Sequence, residues 1–209
     1  SWWQPEPVLH LFPHWNWPGK EGQIIQVWCF SNLERVELLL NGESLGEKPM
    51  PHNGHLQWDV KYQPGTVEAR AFKGGSASPV LIAKRETTGP AAKIRLTSST
   101  PNIAADGEDV AVITTEILDA QDRVVPVALN RVTFSVNGNG RLIGVGNGDP
   151  SSHESDKGPS RFVFNGLCQA IVQSTRQTGQ IEISVSSPGL APTKLTVACD
   201  PAKPRPFVA

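Results

Sequence analysis

The chain of 209 residues holds only three cysteines, one methionine and one tyrosine, and carries a net charge of −1. Each scarcity excludes something. Cys29, Cys168 and Cys199 leave at least one thiol unpaired, so free buried thiols rank above a disulfide-stapled framework. Cys29 and Cys168 stand in strand-like runs, where a free cysteine behaves as a small buried hydrophobe; a Cys168–Cys199 bridge is the open alternative. No CxxC pair or His/Cys cluster has zinc spacing, so neither metal nor cofactor is expected. Near-neutral charge leaves no electrostatic footprint for nucleic acid or an anionic membrane surface. No run approaches the roughly 18 apolar residues of a membrane span. Ser1-Trp2-Trp3-Gln4-Pro5 lacks the basic and apolar segments of a signal peptide and reads as a cut from a longer chain. Helical periodicity is missing too.

What the chain does have is the period of strands. In Gln23 to Phe30, Ile25, Val27 and Cys29 fall on one face, with Ile24, Trp28 and Phe30 on the other. Val36, Leu38 and Leu40 form a second strand, which runs into Asn41-Gly42, a strong two-residue hairpin signal. Leu56, Trp58, Val60 and Tyr62 share a face, as do Val67, Ala69 and Ala71, with Pro64-Gly65 turning between them. Pro79 to Ala83 is the last strand of this half, and Trp28 and Trp58 read as core. All six tryptophans and the tyrosine precede residue 63. Beyond Gly89-Pro90 the chain is rich in Val, Ile, Thr, Ser, Asn and Gly. Each half has about the ~100 residues of one immunoglobulin-like sandwich. The expected fold is all-β: two tandem immunoglobulin-like antiparallel β-sandwich domains. Residues 1–22 are expected to form an aromatic linker or docking segment packed with the first sandwich, 23–89, with 90–200 the second sandwich and 201–209 a flexible tail.

The segment His10-Leu11-Phe12-Pro13-His14-Trp15-Asn16-Trp17-Pro18-Gly19 is the one serious candidate for function. Its prolines and glycines predict irregular backbone. Aromatic surface on such backbone must be covered or must grip something. Trp2, Trp3, His14, Trp15, Asn16 and Trp17 are therefore candidates for docking or sugar contact. Rings stack on the C–H faces of sugars, while Asn and His take hydroxyls. Docking ranks first, because large rings supply much of the buried area of interfaces.

Several stretches, in order, resemble the C-terminal accessory region of glycoside hydrolase family 2 β-galactosidases. They are Ser1-Trp2-Trp3, His10 to Trp17, Ser31-Asn32, Val36 to Gly42, Pro64-Gly65 and Ala69 to Gly74. Ala105-Asp106-Gly107 and Asp119-Ala120 resemble bacterial immunoglobulin-like repeats. Gly144 to Pro150, His153-Glu154 and Phe164-Asn165-Gly166 resemble the family's terminal domain. The resemblance implies a retaining glycosidase whose two glutamates lie on a (β/α)₈ barrel. Retention needs carboxyls about 5 Å apart, and no residue here matches those glutamates, so no catalytic residue is carried over. The fragment itself is expected to be non-catalytic. Its partner is the catalytic barrel, and the family and fold imply an extracytoplasmic location.

The scattered carboxylates Glu34, Glu37, Glu43, Glu47, Asp59 and Glu68 read as a solvated outer face. His153-Glu154, with Asp149 and Asp156, is the densest polar cluster; its oxygens could take a cation, but its spacing fits no calcium loop, so a plain surface loop ranks first. A carbohydrate-binding module built on Trp15 and Trp17 is the first alternative function. An adhesin-like spacer is the second. Exposed aromatics around residues 2–17 also predict self-association of the isolated chain.

Overall fold

A computed structural model describes residues 5–202, and Trp2, Trp3 and most of the tail lie outside them. Among the described residues there is no helix, and the chain divides into two compact units, Ser1–Thr87 and Thr88–Ala209. Both are all-β sandwiches of the immunoglobulin-like kind.

The first unit contains seven strands: β1 (Leu9–Phe12), β2 (Ile24–Ser31), β3 (Arg35–Leu40), β4 (Glu43–Pro49), β5 (Leu56–Lys61), β6 (Thr66–Phe72) and β7 (Leu81–Glu86). They form a three-stranded sheet in the order β1-β2-β5 and a four-stranded sheet in the order β4-β3-β6-β7. All pairings in this unit are antiparallel. Alternation sends Val27, Cys29, Leu56, Trp58 and Val60 inward from one sheet and Val36, Leu38, Val67, Ala69 and Ala71 inward from the other. Asn41 and Gly42 both have positive φ, and Leu40 pairs directly with Glu43. That is the two-residue turn whose twist matches the flanking strands.

Three expectations fail here. Leu9–Phe12, read as irregular linker, is a strand paired with β2 from Leu9↔Ser31 to Phe12↔Trp28. Its prolines act only outside it, because Pro7 precedes the strand and Pro13 follows. Trp28, read as core, lies on the outer face, because β2 alternates and Val27 and Cys29 occupy the inner one. The last strand runs Leu81–Glu86, later than Pro79 to Ala83.

The second unit continues with β8 (Lys93–Ser98), β9 (Asn102–Ala104), β10 (Val110–Leu118), β11 (Arg131–Gly138), β12 (Gly140–Gly146), β13 (Ser160–Phe162), β14 (Leu167–Ser174), β15 (Gly179–Ser187) and β16 (Leu190–Asp200). The sheets run β12-β14-β10-β8 and β13-β11-β15-β16-β9. Strand β9 pairs with β16 in parallel, the one departure among the named strand pairs from the expected antiparallel pattern. Ile113, Ile117, Val132, Phe134, Val172, Ile181 and Ile183 fill the space between the sheets. All three cysteines are free and buried, so the Cys168–Cys199 bridge is not formed. Burial pushes the Cys29 and Cys168 thiols up to about 12, which makes them inert packing groups.

Candidate docking and sugar-contact site

The aromatic leader is fixed at both ends by polar contacts. Asn32 Oδ1 accepts from the Val8 amide at 2.8 Å, and its Nδ2 donates to the Glu6 carbonyl at 2.8 Å. Ser31 Oγ donates to the Val8 carbonyl at 2.6 Å. These contacts hold the chain as it enters β1. At the far end the Gly22 amide donates to the Tyr62 carbonyl, and the Tyr62 amide donates to the Gln23 carbonyl, both at 2.8 Å.

Between these anchors the candidates separate. Trp15 is 0% exposed and lies inside the first sandwich. Its Nε1–H donates to the Gln63 carbonyl at 2.9 Å, its ring meets Tyr62 edge-on at 5.2 Å, and its carbonyl accepts from Thr87 Oγ1 at 2.6 Å. Asn16 is buried as well. Neither offers a ring or an amide to a ligand. Irregular backbone here serves to turn a large ring into the core, a use that composition alone does not distinguish from display.

His14 and Trp17 remain at the surface, half-buried. Their rings stack at 4.5 Å, and Trp17 Nε1–H donates to the His14 carbonyl at 3.0 Å. His14 Nδ1 accepts from the Asn16 amide at 3.2 Å. Burial lowers the His14 pKa, in keeping with a neutral ring whose Nδ1 is an acceptor. Lys20 Nζ lies 5.0 Å from the Trp17 ring centroid. With His14 stacked on it and Lys20 close by, Trp17 is a poor platform for a sugar.

A second aromatic group was not singled out from the sequence. The outer face of the β1-β2-β5 sheet carries His10, Phe12, Trp28 and Phe30, with His55 just before β5. Phe12 is 51% exposed, and Ile24, on the same face, is 54% exposed. Trp28 stacks with His55 at 4.8 Å and meets Phe12 at 6.3 Å; Phe30 lies 5.4 Å from His55 and 6.4 Å from His10. The signal was present in β2, which is apolar on both faces.

The remaining polar residues work as structural ties. Arg161, 5% exposed, gathers the 146–160 loop. Its Nη1 donates to Asp156 Oδ1 at 2.8 Å and to the Glu154 carbonyl at 3.2 Å, and its Nη2 donates to Asn147 Oδ1 at 3.1 Å. Glu154 Oε2 accepts from the Phe162 amide at 3.1 Å. The polar cluster noticed around His153 is thus organised by an arginine, and among the described residues no three metal-ligating side chains converge. Asp119, fully buried, accepts from the amides of Gly89, Gln121 and Arg123 and from the Arg123 guanidinium at 2.7 Å. Burial alone would raise its pKa, but these donors outweigh it and hold the carboxyl far below the usual range. Lys84 and then Arg70 lower Glu68 against its partial burial, and the Ser151 hydroxyl and amide lower Asp149. A general acid needs the opposite shift.

Comparison with known proteins places this geometry. Residues 94–196 match the glycoside hydrolase family 2 C-terminal domain 5, and residues 22–78 match a domain of unknown function, DUF4982. The chain carries a C-terminal domain of glycoside hydrolase family 2. It is 40% identical to the β-galactosidase BoGH2A of Bacteroides ovatus over 203 residues, which are 95% of this chain and 23% of that protein. It is 31% identical to a β-glucuronidase of Formosa agariphila over 199 residues, 93% of this chain and 20% of that protein. A solved family 2 member from Bacteroides cellulosilyticus superposes with a TM-score of 0.88 at 34% identity, over 94% of this chain and 29% of its own. The chain therefore spans a fifth to a third of these relatives' length.

Proposed function

We propose that this chain is an accessory region of a family 2 glycoside hydrolase acting on β-galactosides, and that it supports and orients a catalytic domain without contributing reacting groups. One observation carries the reading: 95% of the chain aligns, at 40% identity, with 23% of a β-galactosidase. The internal chemistry agrees with support rather than reaction. The carboxylates whose titration the fold perturbs are pulled toward the ionised state by arginine, lysine, hydroxyl or amide donors. A retaining mechanism needs one carboxyl kept protonated near neutral pH.

The test uses the 209-residue chain alone, a family 2 catalytic domain alone, and the two in one polypeptide. The chain alone leaves aryl β-galactosides intact, and joining it raises the thermal inactivation temperature of the catalytic domain. Hydrolysis by the chain that is abolished by changing its own carboxylates overturns the reading, as does a catalytic domain indifferent to its presence. A preference of the whole protein that naturally contains this chain for aryl β-glucuronides overturns the galactoside assignment alone. An extracytoplasmic location is proposed on family and fold, and fractionation of cells producing the whole protein tests it.

A further inference from the structure

We propose that the outer face of the β1-β2-β5 sheet, carrying His10, Phe12, Ile24, Trp28, Phe30 and His55, is the surface that meets the catalytic domain. This inference rests on the accessory reading above and names the contact surface.

Three observations carry it. First, β2 is apolar on both faces, the pattern of a strand covered on both sides. Its inner face has the four-stranded sheet over it, while Phe12 and Ile24 on the outer side stay about half exposed. A contiguous aromatic patch of this kind marks an interaction site on a folded protein.

Second, the relief of the patch suits protein side chains better than a sugar ring. Its rings lie tilted against each other, at 58° for Phe12 with Trp28, 60° for Trp28 with Phe30 and 47° for His10 with Phe30. The ring of Trp28 is already stacked with His55, 26° from parallel. A pyranose needs an open, flat ring; tilted rings leave pits that receive Leu, Met or Phe knobs.

Third, the matched region makes up 23% of the B. ovatus β-galactosidase and belongs to a C-terminal domain type, so most of such a protein precedes it. His10 and Phe12 of the patch lie on β1, the first strand among the described residues. A domain tethered immediately before β1 is held near this face at high effective concentration.

Hydroxyl-radical footprinting tests the proposal on the chain alone and on one polypeptide joining it to a family 2 catalytic domain, with exposed Phe162 of the second unit as the dose control. In the joined protein, oxidation of Phe12 and Trp28 falls about fivefold or more relative to Phe162. Unchanged oxidation there, with protection on other surfaces of the first unit, overturns this face and leaves the accessory reading standing. No protection anywhere in the chain overturns both. Concentration-dependent protection in the chain alone identifies a second copy as the occupant, and protection by added galacto-oligosaccharide identifies a sugar platform; either result overturns the proposal. The double substitution Phe12→Ser with Trp28→Ser gives a second readout. It lowers the inactivation temperature of the joined protein and leaves the far-UV circular dichroism spectrum of the chain alone unchanged.

Discussion

Replacing Trp15 separates a core residue from a displayed one. In Trp15→Phe the indole N–H is lost, and with it the bond to the Gln63 carbonyl. Such a bond contributes about 1 kcal/mol net. The smaller ring also gives up roughly 40 Å² of buried apolar surface, about another 1 kcal/mol. The expected cost is therefore about 2 kcal/mol, or roughly 8–15 °C in the melting of a unit this size. Trp15→Ala adds a cavity and costs about 3–5 kcal/mol, a large part of the ~5–15 kcal/mol that holds a typical domain together. Trp17→Phe, at a half-buried ring, costs under about 1 kcal/mol. Urea unfolding followed by far-UV circular dichroism measures all three without relying on indole emission. A Trp15→Ala variant that unfolds within about 0.5 kcal/mol of the parent would refute the assignment of Trp15 to the core, and the linker reading would return.

Four further outcomes are expected. Gly65→Ala lowers stability by about 1–3 kcal/mol, since Gly65 has a φ of +136° and a Cβ there lies 1.9 Å from Asn41 Oδ1, the acceptor for the Thr66 amide; thermal melting checks this, and an unchanged midpoint contradicts it. Asp119→Ala costs about 3–5 kcal/mol through the loss of a buried, multiply bonded charge, read as a shift in urea midpoint. The pH dependence has a definite sign. Asp119 titrates lower in the folded chain than unfolded, so its stabilisation is present above about pH 4 and fades as pH falls further. His14 is also lowered, so folding excludes its proton, and the first unit loses stability as pH drops below about 6.5; His14→Gln removes that step from a urea-midpoint series. Arg161→Gln frees the 146–160 loop from its shared guanidinium, and limited proteolysis then cleaves within the loop several times faster while the strands survive.

The strands were legible because alternation is a local property. Val27 and Cys29, or Val67 and Ala69, declare an inner face without any knowledge of the partner sheet, and Asn41-Gly42 declares a turn because few other residue pairs adopt two positive φ values. The parallel β9–β16 pairing was not legible. It joins Asn102 to Ala198, a contact between distant parts of the chain that no window of sequence contains. Arg161 was missed for a similar reason. Its sequence neighbours are Ser160 and Phe162, and its role appears only when Asn147, Glu154 and Asp156 are brought around it.

The aromatic leader was misread for a more instructive reason. Pro13 and Pro18 predict irregular backbone across the whole stretch, whereas a proline forbids an amide donor only at its own position. Leu9–Phe12, which ends just before Pro13, is free to pair, and once it pairs, strand period fixes which side chain goes where. Leu11 turns inward, and His10 and Phe12 turn outward beside Phe30 and Trp28. The chain then bends and returns Trp15 to the same core. Four residues of supposed linker thus complete one sheet and begin an exposed aromatic surface. A cut made after Trp17 to isolate the first sandwich removes an edge strand and a core tryptophan together. The first unit includes β1 and Trp15, and Ser31 and Asn32 hold the Glu6 and Val8 backbone where the chain enters it.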